Sequence, residues 1–463
     1  MVHVEEMARG IGCPPPADNP VISSVTVDTR DLQPEALFVA LQGEHQDGHD
    51  YVEDAFKNGA SAALVSTSTG ANRWPGRPLL VVPDSRQALG TLASWWRMRH
   101  SIPVIGVAGS NGKTSTKEMI ASIFRESYGP DAVLATAGNY NNDIGLPLTL
   151  LRLRSFHRVA IVEMGMNHAG ETAVLAAICR ATIGLVNNAQ REHQAFMNGV
   201  ADVAEEHSAL LSSLPTDGIA VINADDPFHE LWRVAAGSRR VIDFGLDGAA
   251  SVTASCVLQE AGMELELRLP EATGYTLLQT RGRHNVLNAV AAAAAAHAGS
   301  IPMELIARGL AAFRPVKGRL QVRSGVGGAV VVDDSYNANP DSARAAIDVL
   351  WAERGRKVLV MGDMDEVGPQ GPAYHEEIGH YARARGIDRV LTFGTASRAI
   401  ARAFGVETDH HDVIAELISR LEGLDAPGTT ILIKGSRFMH MERIVDAIAV
   451  PASIPPPGAG SVR

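Results

Sequence analysis

The sequence predicts an α/β protein built as three units in series, and three observations carry that expectation. From Pro103 to about residue 316, short apolar runs alternate with helix-like stretches; the same alternation begins afresh after residue 317; and ahead of both, residues 1–98 hold four short strand-like runs that close on one helix. At 463 residues the chain has the length of about three ordinary domains. The expected divisions are 1–98, 99–316 and 317–451, with 452–463 as a tail without fixed structure.

In the first unit "SVTVDTR", "LFVAL", "AALVS" and "LLVV" read as strands between Gly, Asp and Pro turns, followed by the helix-like "QALGTLASWWRMRH". Its tryptophan pair fits a core or an interface. In the second, "VIGVA", "VAIVEM", "IGLVNN", "GIAVINAD" and "RRVIDFG" are continuous apolar runs of the kind buried in a mostly parallel sheet. Residues 250–281 alternate apolar and polar instead, which predicts added antiparallel strands. "NVLNAVAAAAAAHAGS" is a helix on alanine propensity, ending at a glycine that suits a cap. In the third unit "AVVVDD", "KVLVMGD", "RVLTFG" and "TILIKG" form a second doubly wound pattern, and no G-x-G-x-x-G follows any of them. The Pro- and Gly-rich "PASIPPPGAGSVR" is the expected tail.

Composition narrows the function. Forty-one basic against 52 acidic side chains give a net charge of −11, the wrong sign for neutralising a nucleic acid. No apolar run approaches the roughly 20 residues of a membrane helix, and "MVHVEEMARG" lacks the basic and apolar parts of a signal peptide, so a cytoplasmic location is expected. Three scattered cysteines, Cys13, Cys179 and Cys256, indicate neither a disulfide framework nor a thiolate metal site.

The segment carrying chemistry is "GVAGSNGKTSTKEM", Gly106 to Met119, between a buried-strand run and a helical one. Small residues at such a turn let successive backbone N–H groups of Ala108, Gly109, Ser110, Asn111 and Gly112 surround phosphate oxygens, and the helix start adds partial positive charge. Lys113 supplies a full charge, and Thr114 stands where a hydroxyl reaches Mg²⁺. The loop is a variant: where the common phosphate-loop pattern needs its first glycine, Val107 stands. Glu163 ends the run "VAIVEM", on the same sheet edge as the loop if both strands run alike, and is a candidate metal ligand. His193 follows the next run, where spacing alone favours a structural role over a ligating one.

Taken in order, "GVAGSNGKTSTKEM", "TAGNYNNDIGLPLTLL", "VEMGMNHAGE", "NNAQREH", "NADD", "GRHNVLNAVAAAAA", "GRL", "DDSYNANPDS" and "GDMDEVG" resemble the blocks of the Mur ligases, from "VDTRDLQPEALFVALQGEHQDGHDYV" near the start to "LIKGSR" near the end. The resemblance implies an amino-terminal domain holding a uridine nucleotide, a central P-loop ATPase-like domain and a carboxy-terminal Rossmann-like domain that closes on it. It also implies transfer of the γ-phosphoryl group of ATP, with Mg²⁺, to a carboxylate, and capture of the acyl phosphate by an amine. "DDSYNANPDS" and "GNYNNDIGLP" favour the step that joins D-alanyl-D-alanine to UDP-N-acetylmuramoyl-tripeptide; a monomer is expected. The "DNPR"-like block expected of the diamino acid-adding step is absent.

Residue by residue, the resemblance puts Lys113 on the β/γ phosphates, Thr114 and Glu163 on a first Mg²⁺ and His193 on a second. Asn288 matches an asparagine near adenine, Arg319 a phosphate-contacting arginine from the third domain, and Asp333 or Asp334 the acid that meets ribose. Asn139, Asn141 and Asn142 match a substrate-facing loop, although turn formation is a common use of Asn. Asn337, Asn339 and Asp365 lie where the dipeptide is met, and Thr29 and Arg30 where the uridine diphosphate is. One position departs from the family. Many members carbamylate a lysine that helps hold the second metal; His207 aligns there, and no lysine occurs between Lys117 and Lys317. His207 is expected to bind the metal itself or to stabilise charge nearby. The alternatives are another Mur-type or folylpolyglutamate-type amide ligase and, from another class, a P-loop regulatory NTPase.

Overall fold

The computed structural model describes residues 2–67, 73–405 and 408–451. The tail expected at 452–463 lies outside the described residues.

The first sheet is parallel throughout, in the order Ser24–Thr26, Ala36–Val39, Ala60–Ser66 and Leu79–Val82. The helix Ser85–Met98 follows it, started by Asp84, whose side chain accepts from the N–H groups of Arg86 and Gln87 at 2.8 and 3.0 Å. The tryptophan pair ends up at an interface: Trp96 Nε1 donates to the Leu153 carbonyl at 3.1 Å.

The central sheet runs Arg240–Phe244, Ile219–Asn223, Ile183–Val186, Val104–Ala108, Val159–Glu163 and Val133–Ala135, all parallel. Every residue of Val104–Ala108, Val159–Glu163 and Ile183–Val186 is buried, which is why these strands read as unbroken apolar runs. Val107 pairs with Glu163, so the glycine-rich loop and the carboxylate leave the sheet at one edge. Val133–Ala135 is a three-residue edge strand that the sequence pattern did not disclose. The alternating segment forms the antiparallel sheet Thr253–Gln259, Gly262–Leu269, Ala272–Leu278. The alanine helix spans Arg283–Ala298 and is capped by Gly299, but not for the backbone reason expected: φ there is −81°, and the left-handed turn falls on Ser300. Glycine is required because a Cβ would stand 2.7 Å from the Phe124 ring.

The third sheet runs Gln321–Ser324, Val330–Asp334, Thr429–Lys434, Arg356–Gly362, Arg389–Phe393 and Thr408–His411, parallel except for Gln321–Ser324. One continuous apolar core joins the first sheet to the central one through Leu64, Leu80, Leu89, Leu92, Val104 and Val162. The two faces of the third sheet bury cores of their own, around Leu350, Leu359 and Ile378 and around Val360, Leu391 and Ile433. All three cysteines are free, and burial pushes the Cys179 thiol up to about 12. Among the described residues no helix is long and apolar enough to cross a membrane.

Candidate active site

A cavity of ≈ 920 Å³ opens where the carboxyl ends of the central strands face those of the third sheet, the position at which open α/β sheets bind ligands. Its walls include the loop Ser110–Gly112, Lys113, Glu163, His193, Asn288, Arg319 and Asp334.

The loop owes its shape to two glycines with positive φ, Gly109 at 136° and Gly112 at 81°. A Cβ on Gly112 would also strike the Asn288 side chain. Behind the loop lies a ladder of amides. Asn188 Oδ1 accepts from the Asn111 N–H at 2.8 Å, Asn187 Nδ2 donates to the Asn111 carbonyl at 2.8 Å and to Asn288 Oδ1 at 2.9 Å, and Asn288 Nδ2 donates to Asn285 Oδ1 at 3.2 Å. Asn288 thus braces the phosphate loop. Lys113 opens the helix Lys113–Tyr128 and folds back over the loop, donating to the Gly109 carbonyl, to the Ser110 carbonyl at 3.1 Å and to Glu192 Oε2 at 3.3 Å.

Glu163 is 2% exposed. Its Oε1 accepts from Thr114 Oγ1 at 3.2 Å and from Asn141 Nδ2 at 2.8 Å, while Oε2 is buried without a hydrogen-bond partner. A buried carboxylate oxygen left open beside a phosphate loop suits a divalent cation. No group of three or more His, Cys, Asp or Glu side chains that could hold a metal occurs among the described residues, so phosphate and water would have to complete the coordination, as Mg²⁺ commonly requires.

His193 has a left-handed backbone, φ 49°, and its Nδ1 lies 2.6 Å from Glu366 Oε2, close but not aligned as a hydrogen bond. Its Nε2 is 3.8 Å from Glu192 Oε2. His207 is 1% exposed and stands behind the cavity wall, with Nε2 3.1 Å from Glu192 Oε1. Burial alone would raise the Glu192 carboxyl, but Lys113, then the His207 hydrogen bond, hold it down at about 2.

Arg319 reaches the cavity from the third unit and lies over the Tyr336 ring at 4.3 Å. Of the two adjacent acids, Asp334 lines the cavity, its Oδ2 2.7 Å from Lys434 Nζ, whereas Asp333 is fully buried and bonded to Ser335. Asn139, Asn141, Asn142, Asn337, Asn339 and Asp365 all line the cavity, but several carry local duties. Asn142 Oδ1 accepts from the Gly145 N–H at 2.9 Å, and Asn339 caps the helix Pro340–Ala352 while exchanging amide bonds with Asn111. Thr29 and Arg30 are not among the lining residues; Arg30 pairs with Asp28 at 2.5 Å in the turn that follows the strand Ser24–Thr26.

The chain matches three family models in succession: "Mur ligase family, catalytic domain" over residues 21–97, "Mur ligase middle domain" over 107–296, and "Mur ligase, glutamate ligase domain" over 318–437. It is 42% identical to the UDP-N-acetylmuramoyl-tripeptide–D-alanyl-D-alanine ligase of Escherichia coli (strain K12), an alignment covering 92% of this chain and 94% of that one. The chain belongs to the Mur ligase family. A crystal structure of MurF from Acinetobacter baumannii superposes with a TM-score of 0.88 at 30% identity, covering 96% and 98% of the two chains. The MurF ligase of Thermotoga maritima in complex with ADP gives 0.82 at 25%, covering 92% and 96%.

In this Mur ligase several site residues escaped the sequence reading. Glu192 sits inside "NNAQREH", a block whose residues carry no local mark that singles it out. Arg191 beside it donates from its backbone N–H and guanidinium to Asp341, and from Nη1 to Glu377 at 2.6 Å. Glu366 contacts His193, and Lys434 ties Asp334 to the Asn337 carbonyl. Buried charge of this kind is costly unless paired, which was the only available signal, and the partners are remote in sequence.

Proposed function

We propose that this chain is the ATP-dependent amide ligase that joins D-alanyl-D-alanine to UDP-N-acetylmuramoyl-tripeptide, releasing ADP and phosphate. The observation that carries the reading is the end-to-end likeness to ligases named for that reaction, and the cavity supplies machinery suited to it.

A free carboxylate resists amines because it is anionic, resonance-stabilised and has only oxide to expel. Transfer of the γ-phosphoryl group to the tripeptide's terminal carboxylate gives an acyl phosphate; the dipeptide amine attacks its carbonyl, and phosphate leaves. Catalysis of such a sequence is positioning and charge stabilisation. The Ser110 and Asn111 N–H groups, expected on the phosphates, already donate to Asn188, so the N–H groups at the start of the helix Lys113–Tyr128 and the Lys113 ammonium hold the phosphates, and Arg319 meets them from the opposite wall. Thr114 and Glu163 would hold Mg²⁺, which neutralises phosphate charge when bound. Of the two adjacent acids only Asp334 lines the cavity, which supports assigning it to ribose, and Asn337, Asn339 and Asp365 are assigned to the dipeptide. Thr29 and Arg30 serve the distant uridine diphosphate end of a long substrate. Walls drawn from two sheets shield the acyl phosphate from water. The reading includes a cytoplasmic monomer of three domains, 1–98, 99–316 and 317–451.

The test is incubation with ATP, Mg²⁺, D-alanyl-D-alanine and UDP-muramoyl-tripeptides carrying diaminopimelate or lysine, with mass detection of the pentapeptide. Oxygen label in the tripeptide carboxylate is expected to appear in inorganic phosphate. ATP hydrolysis indifferent to the tripeptide, with no pentapeptide, would instead favour a regulatory NTPase.

A further inference from the structure

We propose that Glu192, held in place by His207, is the carboxylate of a second divalent-cation site beside His193, taking the part that a carbamylated lysine plays in many Mur ligases. The inference rests on the ligase reading above and extends it to a residue that the family pattern does not point to.

Glu192 lines the cavity yet is only 7% exposed, and each of its oxygens has one partner. Oε1 receives His207 Nε2 at 3.1 Å; because a carboxylate only accepts, that nitrogen carries the proton. Oε2 receives Lys113 Nζ at 3.3 Å. Lys113 is also the cation of the phosphate loop, and once it turns to a nucleotide phosphate, Oε2 is released toward the cavity. Beside it stands His193 Nε2, 3.8 Å away. Two ligands each about 2.1 Å from one ion lie no more than about 4.2 Å apart, so the spacing admits an ion between them. Its other nitrogen, Nδ1, lies 2.6 Å from Glu366 Oε2 without the alignment of a hydrogen bond, so a small turn of either side chain would let that carboxylate orient the imidazole.

His207 itself is separated from the cavity by Glu192 and is therefore a positioning residue. With no lysine between Lys117 and Lys317, a carbamate cannot form in this part of the chain. A glutamate carboxylate needs no carbon dioxide, so the second site should be indifferent to bicarbonate.

The experiment is titration of the full-length protein with Mn²⁺ in the presence of ADP, read by electron paramagnetic resonance, with neither tripeptide nor dipeptide present. The wild type should bind two Mn²⁺ per chain, with affinities unchanged by bicarbonate. Glu192→Gln should weaken one of the two sites at least tenfold and leave the other alone. Glu192→Asp, which keeps the charge for Lys113 but withdraws it, should weaken the same site less. His207→Ala should weaken it too, and His207→Gln, whose amide can donate to the carboxylate, should recover part of the loss, a rescue that general loosening would not give. A folded Glu192→Gln protein binding both ions as the wild type does, or a wild type binding only one, overturns the proposal. Neither result depends on pentapeptide formation, so failure here and failure of the ligase reading are separate outcomes.

Discussion

Arg191 holds Asp341 by two routes at once: its backbone N–H donates to Oδ2 at 2.8 Å and its guanidinium Nη2 to Oδ1 at 2.6 Å. The loop that carries Glu192 and His193 is thereby tied to the first turn of the helix Pro340–Ala352 in the third unit. The guanidinium also binds Glu377 and lies 5.0 Å over the Tyr374 ring. Asp341→Ala should therefore lower kcat about a hundredfold or less, the scale of a slight misplacement of reacting groups. Circular dichroism should show the fold retained. Unchanged steady-state kinetics would show that the tie does not set the geometry.

The same clasp should respond to pH. The hydrogen bond from Arg191 is the largest influence on Glu377 and holds its carboxyl below the usual 4.5. A depressed folded value means that the unfolded chain binds the proton more readily, so this stabilisation is complete above about pH 4.5 and is lost as pH falls through the folded value. The stability difference between wild type and Glu377→Gln in urea should be present at neutral pH and shrink in acid. A difference that grows in acid would contradict the sign.

Lys113→Ala should remove at least about 10²–10³ of the rate, the usual scale for losing a donor aimed at developing charge. The folded protein should also bind ATP more weakly, measurable by calorimetry. Normal turnover would displace Lys113 from the proposed site.

Glu163→Gln separates stability from function. The unpartnered, buried Oε2 makes the wild-type carboxylate costly to the folded state, so the amide should leave the melting temperature unchanged or higher without Mg²⁺. The same variant should lose the additional stabilisation that Mg²⁺ and nucleotide give the wild type, a comparison made by differential scanning calorimetry.

Asn288→Ala should cost about 1–3 kcal/mol in unfolding free energy, because Asn187 Nδ2 and Asn285 Oδ1 each lose a buried partner. It should also loosen nucleotide binding through Gly112, which packs on the Asn288 side chain.

What the sequence disclosed and what it hid divide along a physical line. Val104–Ala108 and Val159–Glu163 are buried on both faces and announce themselves as apolar runs, and the loop between strand and helix has a composition dictated by phosphate. Lys113, Thr114, Glu163 and Arg319, all named from such motifs, line one cavity. The edge strands Val133–Ala135 and Thr408–His411 are too short to show a period. Glu192 meets Lys113 across 79 residues and Arg191 meets Asp341 across 150, and no local pattern announces a contact at that range. Family likeness pointed to His207 but not to Glu192, because the pair only makes sense once both are seen in space.

The unequal burial at the two junctions bears on how such a chain can be recombined. Replacing the third unit by that of a relative leaves every apolar interior whole and asks only that a few charged and amide partners match, chiefly Arg191 with Asp341 and Asn111 with Asn339. Replacing the first unit would cut through Leu64, Leu89 and Val104 where they share one interior, so a hybrid made there must be redesigned on both sides of the join.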